Sequence, residues 1–256
     1  MGIFRKIMLV ICLIVFIGSA GILGMYLYDG YKAQKELTGL LDLSGEDIET
    51  EQGTIIGKYS SIWRANNDLI GWIKIDGTKV DFPVMQTKDD PEFYLRRDFH
   101  KEYSTGGVPF MDAESDIFIP TSNFLIYGHN MRNGTMFHDV VKYKDEEFYQ
   151  KHKTFNFDTI YKGGQGEYAV LAAGYSQIYG SNEEVFKYYQ CAGITTEEEF
   201  DAYVEGVKEI SEYDTGVTAE FGDQLVTLST CTNVNENGRF FIVGVRTDAK
   251  ARPPQH

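Results

Sequence analysis

An uncharged apolar run near the N-terminus constrains this chain more than any other feature of its sequence. Residues 7–28 read IMLVICLIVFIGSAGILGMYLY, which is about one bilayer span without a charged side chain. A cleavable signal peptide is the alternative, because the small residues of GSAG would suit a cleavage site. The apolar run continues well past Ala20, however, which is longer than the apolar region of most signal peptides. We therefore expect residues 1–28 to form a short cytoplasmic tail and a retained transmembrane helix.

The charges beside this run predict its orientation. Arg5 and Lys6 precede it, and a positive flank favours the cytoplasmic side of a membrane. Lys32 and Lys35 on the far side weaken this asymmetry, although acidic residues accompany them. The expected topology is single-pass, with the N-terminus in the cytoplasm and the chain after Asp29 outside the cell.

The remainder of the chain is acidic, and this limits its partners. The 256 residues carry a net charge of −14, and without Arg5 and Lys6 the count is 22 basic against 38 acidic residues. Such a surface repels nucleic acid and anionic lipid, and no basic cluster interrupts it. Nucleic-acid binding is therefore not expected.

Beyond the apolar run, the sequence predicts a polar connection followed by one β-rich domain. Residues 29–56 are polar and acidic and are expected to form an extracellular stalk, although several of their leucines could pack on the domain instead. The domain is expected over residues 57–248, with residues 249–256 as a tail. Asp76 and Gly77 lie between two β-rich runs and are a strong hairpin signal. Many strands with few, separated helices indicate a β-rich barrel or sandwich decorated by helices.

Two segments in the second half of the chain have helical patterns. Residues 134–152, GTMFHDVVKYKDEEFYQKH, are predicted to be helical. In residues 195–211, Thr195 followed by Glu198 fits a capping box. The apolar residues that follow share one helical face: Phe200, Tyr203, Val204 and Val207.

Three cysteines have different expected surroundings. Cys12 lies within the apolar run, whereas Cys191 and Cys231 lie outside it. The two exterior cysteines could form a disulfide, as cysteines of exported proteins often do, but a domain of this size does not need a single bridge. Cys231 ends an apolar strand, DQLVTLSTC, and Arg239 opens the next one, RFFIVGVRT.

If these two strands pair as a hairpin, Arg239 can lie close to Cys231. Strand alternation places four residues on one face: Leu225, Thr227, Ser229 and Cys231. A cysteine at a strand end, near a fixed positive charge, has its thiolate favoured and is a candidate nucleophile. The alternative is a buried cysteine beside a surface arginine, without chemistry.

A thiol nucleophile needs an acid–base partner, and the five histidines differ as candidates. Four of them lie in a polar connection, in the helical segment or in the tail: His100, His138, His152 and His256. His129 instead ends the strand FLIYG, after a glycine that would allow a sharp turn. His129 is therefore the candidate acid–base residue.

Taken together, these segments resemble a known family. TLSTC and RFFIV, with IYGHNM well upstream, resemble the class B sortases. Further segments between about Asn66 and Arg246 agree, among them NNDLIGWIKIDGTKVDFPVMQ. The resemblance implies a closed eight-stranded β-barrel with added helices, carried on an N-terminal signal anchor. It also implies a cysteine transpeptidase that fixes secreted proteins to the cell wall of a Gram-positive bacterium.

The resemblance also implies roles for particular residues. Cys231 matches the nucleophile, His129 the acid–base residue and Arg239 the assisting arginine. Expected contacts with the substrate's sorting motif, of NPxTx or xPxTG type, come from Ser229, Thr230 and Tyr189. For Tyr189 and its neighbour Tyr188, packing in the core is the alternative. Pro91 is a departure, because class B members commonly carry an asparagine at this position.

The implied partners are secreted proteins with a C-terminal sorting signal, and a peptidoglycan precursor or other cell-wall amine as acyl acceptor. No cofactor is implied, and no cluster of His, Cys and Asp has the spacing of a metal site. A thiol hydrolase of exported peptides would use the same Cys231 and His129. A non-catalytic, membrane-tethered surface domain is a further alternative. A thiol-redox role lacks a CxxC pair.

Overall fold

The structure is a computed structural model that describes residues 2–41, 45–118, 122–232 and 237–248. Its first element, α1, covers Gly2–Thr38 and contains the whole apolar run. Within the described residues, one helix, α1, is long enough and apolar enough to cross a membrane. The predicted tail, residues 249–256, lies outside the described residues.

Strands dominate the chain after α1. The elements in chain order are β1 (Ile48–Thr50), β2 (Gly53–Ile55), α2 (Gly57–Ala65), β3 (Leu69–Lys74), β4 (Asp81–Met85), β5 (Phe110–Met111), β6 (Asn123–Tyr127), α3 (Glu146–Lys151), β7 (Thr154–Thr159), β8 (Gln165–Gln177), α4 (Glu197–Glu209), β9 (Leu225–Cys231) and β10 (Gly238–Arg246). Short 3₁₀ helices cover Phe93–Arg96, Phe137–Lys144 and Tyr188–Gln190.

Eight of these strands close into a barrel in the order β10-β8-β7-β3-β4-β5-β6-β9. The predicted closed eight-stranded barrel with added helices is therefore confirmed. Most neighbours are antiparallel, but β4 with β5 and β6 with β9 are parallel pairs. The predicted hairpin joins β3 to β4, and Gly77 adopts φ +77°, a left-handed conformation that glycine adopts without strain.

The hydrophobic core has two parts, separated by the barrel wall. Aromatic and branched side chains fill the barrel interior, including Phe82, Phe157 and Ile242, none of which is exposed. A second cluster lies outside the wall, where α4 and the 3₁₀ helix Tyr188–Gln190 cover the outward residues of β8, β9 and β10. The predicted apolar face of α4 belongs to this cluster, with Phe200, Tyr203 and Val207 buried and Val204 partly buried.

The predicted capping box of α4 is displaced by one residue. Thr196, not Thr195, is the N-cap, and its hydroxyl accepts a hydrogen bond from the Glu199 backbone N–H at 3.3 Å. The Glu199 carboxylate in turn accepts from the N–H of Thr196 at 3.2 Å. Both Thr–x–x–Glu pairs fit the pattern in the sequence, and the hydrogen bonds of the folded chain identify Thr196 as the cap.

The helical prediction for residues 134–152 is only partly correct. The segment is a 3₁₀ helix, Phe137–Lys144, followed by the α-helix α3, and extended Asp145 separates them. Phe137, Val140 and Tyr143 recur every third residue, and all three are completely buried. A helix with three residues per turn places such side chains in one row, and packing against the barrel selects this winding.

The segment predicted as a stalk makes contacts with the barrel. Leu37 is buried, and Leu40 and Leu41 pack against the barrel core, whereas Leu43 lies outside the described residues. Ile55 is completely buried and forms an isolated antiparallel β-bridge with Tyr161.

Candidate active site

The ends of three neighbouring strands bring the predicted residues together. In the antiparallel pairing of β9 with β10, Cys231 lies directly opposite Arg239. Strand β6 runs parallel to β9 on its other side, with Tyr127 opposite Ser229, so that Gly128 and His129 continue beside Thr230 and Cys231. The predicted strand pairing is confirmed, although loop residues 233–236 lie outside the described residues.

Cys231, His129 and Arg239 line one cleft of about 310 Å³ at this end of the barrel. Cys231 is exposed, whereas His129 and Arg239 are partly buried. The three residues predicted to contact substrate also line the cleft: Ser229, Thr230 and Tyr189. Its other lining residues include Pro91, Glu92, Leu95, Phe110, Asp112 and Ile178. An extended peptide could therefore pass the exposed thiol while remaining near the histidine and the arginine.

The loop that carries His129 is held from both sides. The Thr230 hydroxyl donates to the carbonyl oxygen of Gly128 at 2.6 Å, and the Phe137 N–H donates to the carbonyl oxygen of His129 at 2.9 Å. A Cβ on Gly128 would lie 2.6 Å from the Phe137 ring. Glycine is thus required for close approach of this ring rather than for the sharp turn that the sequence suggested.

The surroundings of His129 fix which ring nitrogen carries the proton and lower the pKa of the ring. Its Nε2 lies 2.9 Å from the carbonyl oxygen of Leu95, and because a carbonyl oxygen only accepts, Nε2 carries the proton. Nδ1 is then the nitrogen that remains to exchange a proton. Burial lowers the pKa of His129, and the positive charges of Arg96 and Arg239 lower it further, against the opposing effect of the Leu95 hydrogen bond. The neutral imidazole is therefore favoured at neutral pH.

Replacing Arg96 tests this electrostatic account. In Arg96→Gln the pKa of His129 is expected to rise, because one of the charges that disfavour the imidazolium is removed. In Arg96→Gln, His129 therefore takes up its second proton at a higher pH than in the native protein. When the solution is acidified, any step that needs neutral His129 is then lost at a higher pH than in the native protein. Titration of the His129 ring signals by NMR measures the shift.

The exposed Arg64 of α2 supplies the control for this titration, since Arg64→Gln makes the same change of charge at a residue that does not contribute to the lowered pKa of His129. An unchanged His129 titration in Arg96→Gln, or an equal shift in both variants, would contradict the account.

Arg239 carries its positive charge in a cleft that Glu92 and Asp112 also line. Its guanidinium donates to the carbonyl oxygen of Gly238 at 3.0 Å, and it forms no ion pair with any residue that the structure describes. The nearby Asp112 carboxylate accepts a hydrogen bond from the Tyr127 hydroxyl at 3.0 Å. The remaining N–H donors of Arg239 can therefore serve a bound carbonyl oxygen or carboxylate.

The hydroxyls of the three predicted substrate residues already have internal partners. Ser229 is buried, and its hydroxyl lies 2.7 Å from that of Tyr188. The Thr230 hydroxyl supports the histidine loop, and the Tyr189 hydroxyl accepts from the backbone N–H of Tyr179 at 3.0 Å. Tyr188 is completely buried in the second core, which agrees with the alternative prediction that this residue packs in the core. No short motif in the sequence indicated the apolar lining by Leu95, Phe110 and Ile178.

The two exterior cysteines are both free thiols, in contrasting surroundings. Cys191 is partly buried beside α4, and burial, followed by the negative charge of Glu199, raises its pKa to about 11. At pH 8 only about one Cys191 in a thousand is then a thiolate. Cys231 is exposed at the mouth of the cleft.

Thiol labelling is therefore expected to be selective. Iodoacetamide at pH 8 should alkylate Cys231 well before Cys191, because the thiolate is the reactive form and Cys191 is partly buried and has a raised pKa. Peptide mapping by mass spectrometry separates the two sites from Cys12. In denaturant the two exterior cysteines should react at similar rates, which serves as the control, whereas equal rates in the folded protein would contradict the assignment.

No group of three or more His, Cys, Asp or Glu side chains that could hold a metal ion is found within the described ranges.

Comparison with known proteins agrees with this geometry. Residues 73–247 match the Sortase domain family. Sortase B of Listeria monocytogenes is 31% identical over 247 residues, covering 93% of this chain and 95% of the relative. A crystal structure of sortase B from Bacillus anthracis in complex with AAEK1 superposes with a TM-score of 0.72, at 27% identity over 88% of this chain and 99% of that one.

A second solved structure, described as a Staphylococcus aureus sortase B–substrate complex, has a TM-score of 0.64 and 28% identity, covering 74% of this chain and 84% of that chain. The family match includes β4 to β10, and with them every strand end that forms the cleft. The chain therefore belongs to the sortase family of cysteine transpeptidases, and within it to class B.

Proposed function

We propose that this transpeptidase joins secreted proteins to the cell wall, with Cys231 as nucleophile, His129 as acid–base residue and Arg239 as the assisting cation. The observation that carries the proposal is the arrangement at the strand ends. An exposed cysteine lies directly opposite an arginine that forms no ion pair with any described residue, and both share a cleft with a histidine whose loop is anchored on two sides.

Acylation is the first half of the proposed reaction. The Cys231 thiol transfers its proton to neutral His129, and its sulfur attacks the carbonyl carbon of the sorting-motif threonine, so that a C–S bond forms. The peptide C–N bond then breaks, and the departing amine takes a proton from doubly protonated His129. The product is a thioacyl enzyme and a released C-terminal peptide.

Transfer to an amine is the second half. Neutral His129 accepts a proton from the incoming amine while its nitrogen attacks the thioester carbonyl. A new C–N bond forms, the C–S bond breaks, and Cys231 leaves as a thiolate. The lowered pKa of His129 suits this half, because the neutral base is the abundant form at neutral pH.

Arg239 has two related tasks in this scheme. As the carbonyl oxygen becomes negative, a guanidinium N–H next to Cys231 can stabilise the charge, as an oxyanion hole does. The planar guanidinium of Arg239 can also donate hydrogen bonds to a backbone carbonyl of the bound sorting motif. The absence of an ion pair with any described residue supports both tasks, since a neutralised arginine would serve neither.

The proposed substrate is a C-terminal sorting signal of NPxTx or xPxTG type. The cleft has a volume of about 310 Å³, and its lining combines apolar groups with Ser229, Thr230 and Tyr189. A relative of similar fold is described as a substrate complex, which supports binding of such a peptide here. Since the hydroxyls of Ser229 and Thr230 have internal partners, we propose that these residues mainly shape the cleft.

We also propose that residues 1–28 anchor the enzyme, with the N-terminus in the cytoplasm and the catalytic domain, residues 57–248, outside the cell. Helix α1 is long and apolar enough to cross a bilayer, and Arg5 and Lys6 precede its apolar run. Residues 29–56 would link this anchor to the barrel, partly through the contacts of Leu37 and Ile55. Such an anchor would hold the enzyme where exported proteins and wall precursors meet.

Incubation with peptides tests the proposed reaction. The full chain in detergent is mixed with NPxTx- and xPxTG-type peptides, with and without a peptidoglycan-like amine, and the products are identified by mass spectrometry. We expect a thioacyl adduct on Cys231 that resolves faster with the amine. An adduct that resolves only to water would favour a hydrolase, and no adduct with any peptide, from folded protein with a free thiol, would contradict the proposal.

A further inference from the structure

Helix α1 does not end where its apolar run ends, and its last turns lie against the barrel. Leu37 is buried in the barrel core, and the Glu36 carboxylate lies 2.8 Å from Nε2 of His100. The carbonyl oxygen of Lys79 accepts a hydrogen bond from the Gln34 side chain at 3.0 Å. One continuous helix therefore carries the apolar run and is held on the barrel by several contacts.

A hollow of about 650 Å³ lies between α1 and two loops of the barrel. We call it the anchor hollow. Ile22 and Met25 line it from the apolar run, and residues within 103–106 and 131–136 line it from the barrel. A Cβ on Gly30 would overlap a side chain of the second loop, so glycine allows this close approach of helix and barrel. The two loops thus lie beside the end of the apolar run.

The level of the anchor hollow follows from the length of the apolar run. Its 22 residues extend about 33 Å as a helix, slightly more than the hydrocarbon core of a bilayer, which is about 30 Å thick. Met25 lies three residues before the end of the run and so falls near the outer edge of that core. Once α1 spans the membrane, the two barrel loops therefore lie at the level of the outer lipid headgroups.

The same face of the barrel collects positive charge that the sequence keeps apart. Residues 96–106 contain three Arg or Lys side chains and two acidic ones, and the one charged residue of 131–136 is Arg132. On α1, Lys32 and Glu36 line the hollow with one charge of each sign. In a chain of net charge −14, this face is therefore locally positive.

The arginines of this face are free to bind phosphate. Arg96, Arg97 and Arg132 are exposed and form no ion pair with any residue whose side chain the structure describes. Lys101, by contrast, is engaged in an ion pair of 2.9 Å. The Asp98 carboxylate accepts hydrogen bonds from two backbone N–H groups of its own loop. Since guanidinium groups bind phosphate oxygens in a bidentate manner, the arginines suit an anionic headgroup.

Exposed tyrosines lie at the same level. Tyr28 and Tyr31 stand at the end of the apolar run, and Tyr103 lines the anchor hollow from the first loop. All three side chains are largely exposed to solvent. Tyrosine is enriched at membrane–water interfaces, where its ring lies among the headgroups, so their position agrees with a lipid surface at this level.

We propose that the barrel face formed by residues 96–106 and 131–136 rests on the outer leaflet, where Arg97 and Arg132 bind the phosphate groups of anionic lipids. The inference rests on the proposed anchoring by α1 and adds to it the face, the lipid class and the residues. The expectation that the exterior repels anionic lipid then applies to the remainder of the domain and not to this face. The contact holds the barrel in one orientation above the membrane.

Fluorescence quenching in vesicles tests the contact. The full chain with Tyr103→Trp is reconstituted into phosphatidylcholine vesicles with a constant fraction of brominated acyl chains and an increasing fraction of phosphatidylglycerol. We expect its added emission to be quenched, and the quenching to increase with phosphatidylglycerol. The native chain, with Trp63 and Trp72, gives the background. Phe221→Trp is the matched control, because Phe221 is an exposed aromatic residue outside the anchor hollow, and its emission should not change.

The arginines are tested in the Tyr103→Trp chain. The apparent affinity for phosphatidylglycerol is expected to fall about five-fold for each arginine replaced in Arg97→Gln and Arg132→Gln, the factor for one cation near an anionic leaflet. Higher ionic strength should weaken the quenching as well, because the attraction is screened. Arg96 is left unchanged in these variants, since its charge also lowers the pKa of His129.

Two lysines elsewhere on the surface supply the charge-matched controls. Lys162→Gln and Lys208→Gln each remove one exposed positive charge outside the anchor hollow and should leave the quenching unchanged. The thermal midpoint in detergent should be the same for all of these variants. Equal losses of affinity in the lysine and arginine variants would show that only net charge matters and would overturn the assignment of the face.

Failure of this inference differs from failure of the proposed anchor and reaction. Retention of the chain by vesicles through an alkaline wash measures anchoring. A retained Tyr103→Trp chain that is not quenched, or whose quenching is independent of phosphatidylglycerol and of both arginines, would overturn the lipid-binding face alone. A chain lost in the wash would overturn the anchor and this inference together. None of these readouts depends on acylation of Cys231, so they stand whichever reaction the enzyme catalyses.

Discussion

Cys231→Ala is expected to abolish formation of the thioacyl adduct and to lower peptide processing by at least about 10⁴-fold, as removal of a nucleophile does in other acyl-transfer enzymes. The fold should survive, because Cys231 is exposed at a strand end and surface substitutions usually change stability by within about 0.5 kcal/mol. Mass spectrometry of the enzyme after incubation with peptide measures the adduct, and the thermal midpoint reports the fold.

Cys191→Ala is the matched control for the nucleophile. Cys191 is partly buried in the second core, its pKa is raised to about 11, and it does not line the cleft. The Cys191→Ala protein should still form the adduct on Cys231 at close to the native rate. Processing that persists in Cys231→Ala, or an adduct that maps to Cys191, would show that the nucleophile has been assigned wrongly.

Arg239→Met is expected to lower kcat/KM for the sorting peptide by about 10²- to 10³-fold, the usual effect of removing one donor from an oxyanion site. The register places Arg239 opposite Cys231, and no described residue neutralises its charge, so the substrate loses a cation that nothing else in the cleft replaces. The exposed Arg64→Met provides the control, because it removes the same charge far from the cleft.

Arg239→Lys separates the two tasks proposed for this residue. A lysine keeps the positive charge but lacks the planar fork. If Arg239 stabilises charge that develops on the carbonyl oxygen, kcat falls while KM changes little. If it clamps the bound peptide, KM rises with kcat nearly unchanged. Native kinetics in Arg239→Met, from a protein with an unaltered thermal midpoint, would exclude both tasks.

The strands and the barrel could be predicted from the sequence because their signals are local or specific. Asp76 and Gly77 between β-rich runs define a hairpin through the conformation that glycine alone adopts easily, and Gly77 indeed has φ +77°. Barrel closure itself came from the resemblance carried by TLSTC, RFFIV and IYGHNM. Alternation in β9 correctly placed Leu225, Thr227 and Ser229 on a common face, which α4 and Tyr188 cover.

Local patterns were ambiguous where two neighbouring registers, or two kinds of helix, fit the same residues. Thr195 and Thr196 can each begin a capping box, and only the hydrogen bonds between Thr196 and Glu199 in the folded chain distinguish them. A spacing of three residues between Phe137 and Val140 suits an α-helix and a 3₁₀ helix equally, so contacts with the barrel selected the latter.

The sequence by itself determined that Cys231 ends an apolar strand, that His129 closely follows another, that Arg239 lies at the start of a third, and that an apolar span precedes the domain. Only the tertiary structure decided which other side chains meet them, because that depends on the parallel pairing of β6 with β9. Parallel strands need a long crossover, so residues far apart in the chain become neighbours and leave no short motif. The engaged hydroxyls of Ser229 and Thr230 follow from this packing, because a hydrogen-bond partner depends on which elements pack against each strand end.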